Sequence, residues 1–178
     1  MVLISRAAIN RHLNRAAAAA TTKGQGQALE DLVCYIFGKI PGITVRKRNP
    51  LNVFRTQEID VAVWNDKSLK GLPFLPYIIL IECKNWNTPV SSNEVEWFLH
   101  KLRSRGLVFG ILIAYNGITG DAADLTCAHS IIADALREQR NIVIVTRSEI
   151  ASFRDSSKIV KLVKEKLCEQ AVTGTAFP

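Results

Sequence analysis

Hydrophobic residues in the first half of the chain change from a helical to a strand-like period. Between Leu29 and Ile40 they recur every three or four positions, which predicts a helix, and Pro41-Gly42 ends it. Three strand-like runs follow, separated by turn-forming residues: 43–48, 57–64 and 77–84. The first two runs are expected to pair as a hairpin.

The second half alternates between helices and strands. Helical spacing from Ser91 predicts a second helix that ends at Gly106. The remaining runs predict, in order, a central strand covered on both faces, a third helix, a buried strand and one or two final helices: 107–115, 121–139, 141–146 and 148–168. Such alternation needs parallel crossovers, whereas the strand cluster of the first half allows antiparallel pairing. The pattern therefore predicts an α/β fold, a mixed β-sheet flanked by helices.

Composition and charge narrow the class of protein. The 178 residues, 48% of them hydrophobic, suffice for one domain with its own core. The net charge of +7 favours a polyanionic partner, with nucleic acid as the first candidate. The four cysteines lie far apart, which excludes a CxxC motif and favours a reducing compartment. Since no apolar run approaches the roughly 20 residues that cross a bilayer, we expect a cytoplasmic protein without a membrane partner.

The N-terminal segment is basic. Before Glu30 the chain carries no acid but four cations: Arg6, Arg11, Arg15 and Lys23. An organellar transit peptide has this composition, but a short basic helix that docks on the domain or on DNA is the favoured interpretation. The small polar residues 21–26 separate this segment from the rest. We therefore expect a basic helical segment (1–23), one main domain (24–170) and a tail (171–178).

Charged residues interrupt two strands that are otherwise apolar. Asp60 lies within the run 57–64, and Glu82 and Lys84 share one face at the end of the run 77–84, about 7 Å apart. Charges in such positions are costly unless they are paired, bound to a metal or at a strand end. If the two strands are neighbours, the three side chains converge.

Two carboxylates and an ammonium group at one place suit Mg²⁺, which Mn²⁺ can replace. The acids would hold the ion against a scissile phosphate, and Lys84 would contact the attacking water or the phosphate. The residues themselves therefore predict hydrolysis of a phosphodiester bond. The structural alternative is an ion pair of Lys84 with Glu82 or Asp60 at a strand end.

The spacing of Asp60 from Glu82-Cys83-Lys84, together with the element order, resembles the PD-(D/E)xK nucleases. Within that superfamily the sequence is most similar to the Mrr-like restriction endonucleases, over roughly residues 25–146. Gly26 and Glu30 match that group's Gly-x-x-x-Glu start of the first helix, and Ile59-Asp60 matches its Ile-Asp strand. The resemblance implies a restriction-endonuclease-like fold and a Mg²⁺-dependent endonuclease that cuts DNA.

The resemblance also implies a role for each matching residue. Asp60 and Glu82 would bind the metal together with the backbone carbonyl of Cys83, and Lys84 would assist catalysis. Glu30 would support the metal directly or through a water, although an ordinary helix-face acid is an equal alternative. The Cys83 thiol should face the core and is not expected to be a nucleophile.

Further residues are candidates for DNA contacts: Arg46, Lys47 and Arg48 in a basic tip, Gln57 before the site, Asn85 and Trp86 after it, and Lys101 near the end of the second helix. Cations at a helix C-terminus are also favoured by the helix dipole, and Trp86 can simply anchor a surface.

The chain is too short to carry a separate DNA-reading domain of ordinary size, so the target sequence stays open. A homodimer, or a partner subunit that supplies specificity, would complete the enzyme. The alternatives are a structure-selective repair or junction-resolving nuclease, and a non-catalytic DNA-binding subunit on the same fold. The intact set of two acids and a lysine favours an enzyme.

Overall fold

The computed structural model describes residues 1–48, 58–85, 87–121 and 126–174, and of Lys47 it describes the backbone only. Six helices and five strands occur in these ranges, in the order α1 (Arg6–Ala18), α2 (Thr22–Phe37), β1 (Ile43–Arg48), β2 (Val61–Asn65), β3 (Ile78–Lys84), α3 (Ser92–Arg103), β4 (Phe109–Ala114), α4 (Ala128–Arg137), β5 (Asn141–Val145), α5 (Arg147–Ser152) and α6 (Ser156–Thr173). Among the described residues, no helix is both long and apolar enough to span a membrane.

The strands form one mixed sheet in the order β1-β2-β3-β4-β5. β1, β2 and β3 are antiparallel neighbours, and β4 and β5 run parallel to β3. The predicted hairpin, the mixed sheet and the α/β class are confirmed. β4 is an interior strand, as expected, and β3 is the middle strand that joins the antiparallel and parallel halves.

Helices cover both faces of the sheet. The core on the α2 side contains Ile79 and Ile81 of β3, and the core on the α3 and α4 side contains Leu80. Because side chains alternate along a strand, Glu82 points to the same face as Leu80, and Cys83 packs against the α2 side. The strand therefore directs its motif residues to opposite faces.

The second predicted strand and the third predicted helix needed correction at their starts. β2 begins at Val61 rather than at residue 57, and Asp60 lies in a bend just before it instead of in the middle of a strand. Ile59 belongs to the core on the α3 side while Val61 belongs to the other, so the alternation expected through 57–64 does not hold across Asp60. α4 begins at Ala128 and not at residue 121.

Residues 21–26 are not a linker. The hydroxyl of Thr21 accepts a hydrogen bond from the backbone N–H of Gly24 and caps α2, which then continues to Phe37. A threonine cap stabilises a helix start by about 1 kcal/mol, which offsets the two glycines that follow. At the other end of the chain, α6 continues three residues beyond Gln170.

The basic N-terminal helix packs on the rest of the protein. Ile9, Leu13 and Ala16 of α1 are buried, and Ile9 and Leu13 belong to the same core as α2. The preceding extended residues are tied to the start of α6, where Ile4 donates its backbone N–H to Arg154. The sequence left open whether this helix docks on the domain or on DNA, and in the structure it packs on the domain.

Candidate active site

The end of the β2–β3 ladder brings Asp60 next to Cys83. Ladder pairing stops at Val61 and Ile81, and beyond it the Asp60 carboxylate accepts the Cys83 backbone N–H at 2.6 Å. A side chain thus replaces the backbone partner that a longer β2 would have supplied. Because the N–H and C=O of a strand residue point to the same side, the Cys83 carbonyl also faces the side of Asp60.

Burial controls the charge of Asp60. It is the largest influence raising the pKa of this carboxyl, and the charge of nearby Glu82 raises it further, to about 7. The hydrogen bond from Cys83 and the positive charge of Lys101 act in the opposite direction but do not prevail. A half-buried carboxylate near a second carboxylate is the arrangement that a divalent cation relieves.

Glu82 is buried and held by two lysines. The Nζ of Lys101, itself only 4% exposed, donates to Oε1 at 2.7 Å and to Oε2 at 2.8 Å. Lys84 Nζ lies 3.2 Å from the same Oε1 and 2.7 Å from Glu94 in the first turn of α3. Two lysines and two glutamates thus form one network beneath the end of β3.

This network keeps Lys84 charged. Burial would lower the pKa of its amine, but the carboxylates of Glu82 and Glu94 outweigh burial and raise that pKa above its usual value. Burial also raises the pKa of the Cys83 thiol well above its usual value, and the charge of Asp60 adds to this. A thiol that remains protonated agrees with the expectation that Cys83 is not a nucleophile.

A cavity of about 210 Å³, here called the site cavity, lies between α2 and the end of β3. Three of the predicted site residues line it, Glu30, Asp60 and Lys84, whereas Glu82 does not. The rest of the described lining comes from α2 and from the end of β3: Thr22, Gln25, Gly26, Cys83 and Asn85. Added at Gly26, a Cβ would meet no atom within 4 Å, so the glycine leaves open space beside the cavity. The structure thus brings Glu30 of the first core helix to the same cavity as Asp60 and Lys84.

Glu30 is tied to the basic tip that the sequence assigned to DNA. Arg48 Nη2 lies 3.2 Å from Glu30, and its Nη1 lies 2.7 Å from Asp31. The guanidinium of Arg48 therefore bridges two acids of α2 in this structure. Arg46 is exposed on β1, an edge strand, where cations also hinder edge-to-edge aggregation.

Lys101 does not fit its predicted role as a DNA contact. Lys101 does not lie on the surface, because its ammonium is buried against Glu82, where a DNA phosphate cannot reach it. Asn85 lines the site cavity and donates its amide to the Gln25 carbonyl at 3.1 Å. Gln57, Trp86 and the side chain of Lys47 lie outside the described residues.

The acids at the site do not form a closed metal cage. In the described ranges, no group of three or more His, Cys, Asp or Glu side chains is arranged to hold a metal ion. A metal at Asp60 would depend on backbone oxygen and water in addition to carboxylates. That requirement suits Mg²⁺, which usually keeps several waters and takes one or two carboxylates.

Sequence reasoning missed three contributors to the site. Thr22 and Gln25 line the cavity, and Glu94 binds Lys84. A signal for Thr22 existed, since residues 22, 26 and 30 are spaced by four and share one face of a helix. Nothing in the sequence links Glu94 to β3, because that contact depends on how α3 packs.

The family comparison agrees with this geometry. The restriction endonuclease model Mrr_cat matches residues 22–153, which includes every element from α2 to α5. No curated protein matches the sequence. Restriction endonucleases of this kind are nucleases that act on DNA and typically use a divalent metal. Since the model covers most of the chain, this protein belongs to the Mrr_cat restriction endonuclease family.

Proposed function

We propose that this protein is a Mg²⁺-dependent endonuclease that hydrolyses DNA phosphodiester bonds at the site cavity. The observation that carries the proposal is the half-buried Asp60 carboxylate, near the charge of Glu82, at a cavity that Lys84 also lines. Buried acids with raised pKa values cluster at functional sites.

Three groups would hold the metal. Asp60 would supply a carboxylate oxygen, and Cys83 its backbone carbonyl, which faces the same side. Glu82 accepts three lysine contacts, and an ionised carboxylate has about four lone-pair sites, so one remains for a metal or its water. A bound Mg²⁺ would polarise the scissile phosphate and lower the pKa of an attacking water.

Lys84 acts in this proposal as a cation. Its pKa is raised by Glu82 and Glu94, so the amine stays protonated at neutral pH. A protonated amine is a poor base but a good partner for the negative charge that develops on the phosphate. Glu94 and Glu82 would hold this ammonium at the end of β3.

Glu30 has a supporting role. It lines the cavity, and Arg48 contacts its carboxylate from β1. A water held by Glu30 would connect it to the metal without a direct bond. Arg48 is then a positioning residue for Glu30, whereas Arg46 and Asn85 remain the described candidates for DNA contacts.

One observation favours a second candidate. Both oxygens of Glu82 are bound by the buried Lys101, and the described acids form no three-membered cluster. A subunit that binds DNA but does not cut it would tolerate such a neutralised acid. Cleavage assays decide between the two.

The test uses supercoiled plasmid, methylated and unmethylated, with Mg²⁺, Mn²⁺ or EDTA. Wild type should nick or linearise it only with metal, and Asp60→Asn and Lys84→Ala should each lower the rate at least about 100-fold. Asp134→Asn, on the exposed surface of α4, is the matched control for loss of one acid and should cut like wild type.

Each outcome has a distinct meaning. Metal-dependent cutting that survives Asp60→Asn would refute the assignment of the site. Retained DNA binding without cutting on any substrate would favour the non-catalytic subunit. Cutting of branched but not linear duplexes would identify a structure-selective nuclease.

A further inference from the structure

Three cavities join into one groove that leaves the site. Gln25 and Asn85 line both the site cavity and a second cavity of about 200 Å³. Tyr115 and Arg147 line both the second cavity and a third of about 410 Å³, which extends to Asn116. The shared residues place the three cavities side by side, and we call the row that they form the groove.

The sheet explains the course of this groove. Asn85 comes directly after β3, and Tyr115 comes directly after β4. Arg147 lies two residues after the last residue of β5. These strands are parallel, so their carboxyl ends lie at one edge, where α/β proteins commonly bind ligands. Neighbouring strands are about 4.8 Å apart, so β3 and β5 end about 10 Å apart.

Arg147 is the cation of the groove beyond the site cavity. Its guanidinium carbon lies 4.9 Å from the centre of the Tyr115 ring, which orients the group by a cation–π contact. Its side chain is exposed, and the ion pairs among the described residues do not include it. By contrast, Arg48 and Arg103 are each held by two acids.

The lining of the groove suits a polyanion. Among the described residues, carboxylates line it in the site cavity alone, at Glu30 and Asp60. The described lining of the second and third cavities supplies amide, hydroxyl and guanidinium groups, for example at Asn87, Ser148 and Arg147, and contains no acid. Phosphate and sugar contacts in protein–DNA complexes come from these side-chain types.

We propose that the DNA strand entering the site cavity continues along this groove, and that Arg147, stacked on Tyr115, binds a backbone phosphate that flanks the scissile one. The inference rests on the proposed function because it takes the site cavity as the place of cleavage. It adds the direction of the bound strand and a binding residue outside the catalytic motif. A guanidinium fixed over a ring presents its N–H fork for two hydrogen bonds to one phosphate.

The test measures DNA binding without catalysis. Fluorescence anisotropy with a labelled 20-base-pair duplex in EDTA, from 50 to 200 mM salt, gives Kd and its salt dependence. Arg147→Gln should weaken binding about 10-fold and reduce the slope of log K against log salt by about 1. Arg147→Lys keeps the charge but loses the planar fork, so it should lie between wild type and Arg147→Gln.

Arg137→Gln is the matched control. Arg137 lies on α4 with a side chain that is 75% exposed, and its loss changes the net charge by the same amount. It should alter Kd less than twofold. Equal effects of Arg147→Gln and Arg137→Gln would overturn the inference, as would wild type that does not bind the duplex at 50 mM salt.

Failure of the proposed function would look different. If Asp60→Asn still cuts plasmid while Arg147→Gln loses affinity and Arg137→Gln does not, the groove binds DNA but cleavage occurs elsewhere. In an active enzyme, Arg147→Gln should raise KM and leave kcat nearly unchanged, because the contact is remote from the reacting phosphate.

Discussion

Asp60 should destabilise the metal-free protein at neutral and alkaline pH, and its replacement by asparagine should therefore stabilise the fold. The folded state holds the Asp60 proton with a pKa of about 7, against an ordinary value of 3.8. Below 3.8 the carboxyl is protonated in both the folded and the unfolded state and contributes no difference. As pH rises from 3.8 to 7 the unfolded state loses its proton first, so the free energy of unfolding falls.

The magnitude follows from the two pKa values. Each pKa unit corresponds to about 1.36 kcal/mol, so ionised Asp60 costs about 4 kcal/mol of stability above pH 7 and about 1 kcal/mol at pH 4.5. The amide introduced by Asp60→Asn is neutral at every pH, and its carbonyl oxygen can accept the Cys83 N–H. Its NH₂ group needs partners of its own, which reduces the gain. If the unpaired NH₂ group costs about 2 kcal/mol at every pH, Asp60→Asn should add about 2 kcal/mol at pH 8 in EDTA and cost about 1 kcal/mol at pH 4.5.

Urea denaturation of the two proteins at pH 4.5, 6, 7 and 8 measures this difference, because other titrating groups cancel in the comparison. With a slope of about 2 kcal/mol/M, the midpoint at pH 8 should rise by about 1 M. Asp134→Asn, an exposed acid on α4, should change stability by less than about 0.5 kcal/mol at each pH. A gain for Asp60→Asn that is the same at pH 4.5 and pH 8 would refute the reasoning, because it would not originate in ionisation.

Other substitutions test the remaining contacts. Lys101→Met should lower the free energy of unfolding by about 3 kcal/mol in urea denaturation, because it leaves the buried Glu82 carboxylate with one fewer cation. Adding Glu82→Gln should recover at least half of that loss. If the effects of the two substitutions on stability simply add, the residues are not directly coupled. Gly26→Ala should raise stability by about 0.5–1 kcal/mol, since it removes a glycine from α2. It should also slow plasmid cleavage, because the added methyl group would lie beside the site cavity. Unchanged cleavage would show that Gly26 is not part of the site. Gly110→Ala should destabilise the fold by about 1–3 kcal/mol and lower the midpoint of thermal unfolding, because the new Cβ would lie 2.6 Å from Phe98. An unchanged midpoint would show that the Phe98 ring moves aside without cost.

The sequence was sufficient for the fold and for the identity of the motif because both depend on local periodicity. β1 has the predicted bounds, and the alternation in β3 correctly sends Glu82 and Cys83 to opposite faces. The start of β2 was not predictable in this way, because Asp60 satisfies the Cys83 N–H with its side chain where a strand would use its backbone. A polar side chain can take over a ladder bond without leaving a sign in the hydrophobic pattern.

The partners of the charged residues were also beyond sequence reasoning. Lys101 and Arg103 are both cations at the end of α3, and periodicity does not distinguish their roles. The packing of α3 on the sheet turns Lys101 inward to Glu82 and leaves Arg103 outside with Glu96 and Glu138. Long-range ion pairs of this kind depend on tertiary geometry.

The two acids of the motif are compensated in different ways, and this difference determines what a metal can do. Glu82 is neutralised within the protein by two ammonium groups, whereas Asp60 accepts its hydrogen bond from the uncharged backbone N–H of Cys83. A divalent cation would therefore gain most of its electrostatic energy from Asp60. Metal binding should displace the proton that Asp60 retains up to its pKa of about 7, so affinity for Mg²⁺ should increase with pH through that range. Stabilisation by 10 mM Mg²⁺ should accordingly be larger at pH 8 than at pH 6 and should disappear in Asp60→Asn, and equal stabilisation of both proteins would show that the ion binds elsewhere.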